Sequence, residues 1–82
     1  MIKDEKGRLE FGSRLDDMMY YRHFKKQTTG RNIGLSEHTI SMWTFGKFVP
    51  TVEQFMLLAN YMKMTDEDIL HLLKSFKGGK TT

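Results

Sequence analysis

The side chains of this sequence best suited to proton transfer or metal ligation are His23, His38 and His71, the pair Asp16-Asp17 and the run Asp66-Glu67-Asp68. The histidines fall on different expected elements and lack the i, i+4 spacing and carboxylate partner that hold zinc. The acids sit at helix starts, where carboxylates serve as caps and meet the positive end of the helix dipole. Cysteine is absent, which removes thiolate ligands, disulfides and cysteine nucleophiles. There is neither a glycine-rich phosphate loop nor a nucleophile elbow, so no enzyme, cofactor or metal centre is expected. The chemistry that remains is recognition, through Glu37, His38, Ser41, Met42 and Phe45.

Two short helices must position that group. In the stretch Lys25 to Pro50, Ile33-Gly34-Leu35-Ser36 reads as a helix end, a tight turn and a new helix start. Gly34 can adopt the left-handed conformation that closes a helix, and Ser36 is a strong N-cap. At about 100° per residue, Ser36, Ile40 and Trp43 share the packed side of the second helix, while Glu37, His38, Ser41, Met42 and Phe45 share the displayed side. Gly30 lies four residues before Gly34 and lets a crossing helix approach closely, at a loss of roughly 1 kcal/mol in helix propensity.

The 82 residues suit one small domain, with 39% hydrophobic and 28% charged side chains. No apolar run approaches the roughly 18 residues of a membrane span, and the opening Met-Ile-Lys-Asp-Glu-Lys is too charged for a secretory signal. A soluble, cytoplasmic protein is expected. The net charge of +3 is unevenly spread. Residues 23–50 carry Lys25, Lys26, Arg31 and Lys47 against Glu37 alone, whereas residues 51–73 carry Lys63 against Glu53, Asp66, Glu67 and Asp68. The paired helices are the most basic part of the body, which would orient it on a polyanion.

The remaining elements follow from caps and periodicity. Residues 1–10 read as a flexible, charged arm containing Arg8, and residues 77–82 as a disordered basic tail, leaving a domain over 11–76. Ser13 should cap a first helix that runs to about His23 on the spacing of Leu15, Met18 and Met19. Phe24 plugs the loop before a second helix over Lys26 to Ile33. Gly46 ends the displayed helix, and Val49 before Pro50 is extended. Thr51 with Gln54 caps a fourth helix carrying Val52, Phe55, Met56, Leu58, Ala59 and Met62 at apolar spacing. Thr65 with Asp68 caps a fifth, through Ile69, Leu72, Leu73 and Phe76. Met18, Met56 and Met62 are expected as core filling.

Gly30, Gly34, Leu35, Ser36, Ile40 and Trp43, followed by Gly46-Lys47 and Pro50, together resemble the Cro and lambda-type repressor helix-turn-helix family. The resemblance extends from about Arg14 to Leu73. It implies an all-α, compact five-helix bundle containing a helix-turn-helix, of the lambda repressor-like DNA-binding kind. It further implies a transcription regulator of Cro/repressor type, from a phage or mobile element, with double-stranded DNA as partner. The helix over Ser36 to Phe45 would then lie in the major groove. Glu37, His38, Ser41 and Met42 would read base edges, while Lys26, Gln27, Thr39, Thr44 and Lys47 would hold phosphates. Such regulators pair as a homodimer across half-sites about 34 Å apart, here through helix 5 or the tail. The alternative is a protein-binding module on the same scaffold, an anti-repressor or co-regulator that engages a regulatory protein through Met42 and Phe45.

Overall fold

A computed structural model describes residues 5–79, and its ordered elements are all helical: α1 (Glu5–Tyr21), α2 (Lys26–Asn32), α3 (Glu37–Thr44), α4 (Val52–Met62) and α5 (Asp66–Leu73). A short 3-10 continuation, Lys74–Gly79, follows α5 and is kinked at Phe76. The core gathers Phe11, Leu15, Met18 and Met19 from α1, Ile40 and Trp43 from α3, Leu58 and Met62 from α4 and Leu72 from α5. Phe24, Phe55, Tyr61 and Phe76 close its margins, with Phe24 edge-on to Tyr61 and Phe76 5.7 Å from Phe11 between ring centroids.

The first helix departs from the expectation of an arm over residues 1–10. It begins at Glu5, and Ser13 lies exposed within it rather than capping it. Gly7 and Gly12 resemble breakers in the sequence, yet both are buried inside the helix. At Gly12 the reason is a close crossing: a Cβ there would stand 2.5 Å from the Trp43 carbonyl oxygen and 2.6 Å from that of Thr44. Arg8 does not lie on a free arm, because its Nε donates to the Gly46 carbonyl at 3.3 Å. Residues 1–4 of the expected arm lie outside the described residues. The 3-10 continuation reaches into the segment expected as a tail, whose remainder, 80–82, also lies outside them.

Helices α1 to α4 end alike, in a left-handed residue flanked by two backward hydrogen bonds. After α1 the Phe24 amide donates to the Met19 carbonyl at 2.8 Å and the His23 amide to that of Tyr20 at 3.2 Å. Leu35 to Gly30, Lys47 to Met42 and Met64 to Ala59 repeat the longer bond after α2, α3 and α4. Gly34 and Gly46 occupy the left-handed position with φ of 80°, as expected, but His23 (φ 65°) and Lys63 (φ 56°) hold it without being glycine. These stops confine each helix to the length its apolar face can bury.

The capping boxes expected at Thr51 with Gln54 and Thr65 with Asp68 are both present. Three apolar assignments change. Val52 and Met56, 79% and 59% exposed, point away from the core, because Met56 lies about 160° around α4 from Leu58. Leu73 is also exposed, while its neighbour Leu72 is fully buried.

Candidate functional site

The corner between α2 and α3 is set by a contact that only glycine permits. A Cβ on Gly30 would stand 2.8 Å from the carbonyl carbon and oxygen of Ser36, so the two backbones touch where α3 begins. Leu35 then donates its amide to the Gly30 carbonyl at 2.7 Å. Ser36 starts α3 by accepting the Thr39 amide at 3.1 Å. The turn is thereby closed by a backbone bond at the end of α2 and a side-chain cap at the start of α3, and α3 leaves it in a fixed direction.

From α3, Ile40 and Trp43 enter the core while Glu37 and His38 are exposed. Ser41 and Met42, expected beside them, are half-buried. Phe45 caps the helix with 57% of its surface exposed. Ser36 itself is exposed, since its hydroxyl must face the open amides of the first turn. Thr44 requires a correction: it is only 8% exposed, and its hydroxyl donates to the Ser41 carbonyl at 3.0 Å. The α1 crossing at Gly12 covers the last turn of α3, which removes Thr44 from the set able to reach a phosphate. Thr39 is half-buried, with its hydroxyl 3.1 Å from that of Ser36, and so supports the cap.

Of the expected phosphate contacts, Gln27 and Lys47 are exposed. Lys26 is engaged within the protein, its Nζ 3.2 Å from Asp16 Oδ1 and 5.5 Å from the centre of the Phe45 ring. Lys25, at the N-cap of α2, makes no side-chain capping bond. The start of α2 borders a cleft of about 430 Å³ that Asp16, Asp17, Lys25, Lys26, Gln27 and Glu37 share. Asp16 and Asp17 come from α1 and could not be placed there from local sequence, because nothing along the chain announces a contact ten residues away.

A second, shallow cleft of about 270 Å³ runs beside α3 between His38, Thr39, Met42 and Trp43 and the connection to α4, represented by Phe48, Val49 and Gln54. Phe48 is 63% exposed and enlarges the apolar border beyond Met42 and Phe45. Its signal was the extended Lys47 to Pro50 segment, whose apolar side chains have no helix to turn them inward. His23, His38 and His71 lie in the α1–α2 loop, α3 and α5. Among the described residues no group of three potential ligands could hold a metal ion, and no helix is long and apolar enough to cross a membrane.

Away from this face, Arg22 at the end of α1 grips Asp68 of α5 with two bonds of 2.8 and 2.9 Å. These bonds, with a backbone bond from Thr65, hold the Asp68 carboxyl well below the usual carboxylate range and raise the Arg22 guanidinium. The pair fixes α5 against α1. Comparison of the chain with protein-family models, curated proteins and solved structures gives no significant match.

Proposed function

We propose that this protein is a sequence-specific DNA-binding regulator that lays α3 in the major groove of double-stranded DNA. The observation that carries this reading is the α2–α3 corner, closed at Gly30 and Gly34, which projects Glu37 and His38 from a stretch of net positive charge, residues 23–50. A helix held by its neighbour and displayed by its first turn is the arrangement that suits the width of the major groove. The resemblance of Gly30 to Pro50 to Cro and lambda-type repressors supports the same assignment.

On this reading Glu37 accepts from a cytosine amino group, His38 meets guanine N7 or O6, and Met42 contacts a thymine methyl. Ser41 adapts to its neighbour. Gln27, Lys26 and Lys47 engage phosphates, and Thr39 contributes by keeping the first turn capped. The salt dependence of duplex binding tests this assignment. Lys47→Ala should weaken binding to all sequences alike and lower the slope of log K against log salt by about 1. An unchanged slope would remove Lys47 from the interface.

The apolar border of exposed Phe45, Phe48 and Val49 beside half-buried Met42 favours a second reading, docking of a regulatory protein on the same face. Such binding would depend on Met42 and Phe48 and respond weakly to salt, because apolar burial releases no counterions.

A further inference from the structure

One ammonium joins three elements at the base of the displayed helix. Lys26, the first residue of α2, is paired with Asp16 of α1 and lies over the Phe45 ring at the end of α3. Asp17 and Glu37 border the same cleft, so three carboxylates surround Lys25 and Lys26 where a phosphate must approach. We infer that Asp16 stands in for a DNA phosphate in the free protein and must be displaced from Lys26 when a duplex docks. The inference rests on the DNA reading and adds to it a residue that limits affinity.

The exchange is physically accessible. Asp16 keeps 51% of its side chain exposed and Lys26 29%, and a pair this wet contributes little to stability. Phe45 meanwhile holds the ammonium in place by cation–π attraction, so the phosphate meets an ordered partner. When Lys26 changes partner it releases a counterion from the duplex, but the freed Asp16 carboxylate gathers a cation in return. Lys26 therefore contributes almost nothing to the net salt dependence while Asp16 is present.

The test uses the full chain and a labelled mixed-sequence duplex, titrated between about 50 and 200 mM salt. Asp16→Asn should tighten binding by about two- to fivefold at the low end, and steepen the slope by about 0.9. Asp17→Asn, which removes the same charge from the same cleft without breaking the pair, should give a clearly smaller gain. In a Lys26→Ala background the advantage of Asp16→Asn over Asp17→Asn should vanish. Equal gains from both aspartates, or a gain that survives Lys26→Ala undiminished, would overturn the inference while leaving DNA binding intact. Failure of both the native chain and Asp16→Asn to bind any duplex would reject the DNA reading itself, and this inference with it.

Discussion

Replacing Gly12 by alanine separates two forces of opposite sign. Alanine in a helix interior is favoured over glycine by about 1 kcal/mol, so propensity alone makes the variant more stable. The crossing argues the reverse. The new methyl would stand 2.5, 2.6 and 2.9 Å from three backbone atoms of Trp43 and Thr44, where ordinary contact begins near 3.4 Å. None of these is a flexible side-chain tip, so α1 and α3 must separate by nearly 1 Å. Overpacking of this kind costs about 1–3 kcal/mol, and less the propensity gain of about 1 kcal/mol it leaves a net loss of up to about 2 kcal/mol. For a chain of this size that lowers Tm by up to roughly 15 °C. Trp43 is the only tryptophan and is buried, so its fluorescence reports the crossing directly during urea unfolding. The midpoint should fall with little change in slope, while Ser13→Ala, one residue away and exposed, should leave it equal or slightly raised. A Gly12→Ala protein more stable than the native chain would refute the close crossing. Because α3 carries the displayed residues, the same displacement should also weaken duplex binding.

Three further outcomes follow from the helix ends and the buried polar groups. His23→Gly and Lys63→Gly should each raise stability by about 0.5–1 kcal/mol in thermal melts, since glycine enters the left-handed stop without a clashing Cβ; a loss at both would contradict the assigned conformations. Thr29 is fully buried in α2 and its hydroxyl has no hydrogen-bond partner among the described residues, so Thr29→Val should stabilise by about 1 kcal/mol in denaturant titrations. The Arg22–Asp68 pair should make stability pH-dependent. Its contribution is fully present above the unfolded carboxylate value of about 4 and is lost as pH falls through the lowered folded value, so the advantage of the native chain over Asp68→Asn should shrink below pH 4. An advantage constant down to pH 2 would show that the pair does not act through charge.

The residues that revealed the architecture in the sequence are those whose effects are local. Ser36, Thr51 and Thr65 cap the helices that follow them, and Gly34 and Gly46 close α2 and α3, because each acts within one helical turn. The start of α1 was hidden for the opposite reason: Gly7 and Gly12 resemble breaks, yet both are buried within the helix, and at Gly12 α3 crosses closely. Thr44 looks like a surface residue by type and is buried by that same crossing. At the candidate site, Glu37 and His38 were legible from periodicity alone. The Asp16–Lys26 pair and the Phe48 border were not, since both depend on how α1 and the α3–α4 connection fold back against α3.

On the proposed function, α3 reads base edges. Selection of duplexes from a random pool by the native chain and by His38→Ala, at about 0.15 M salt with sequencing of the bound fraction, measures this directly. A motif is expected for the native chain and relaxed preference at one base position for His38→Ala, with the remaining positions kept. Weak, uniform binding with no motif for either protein would contradict it.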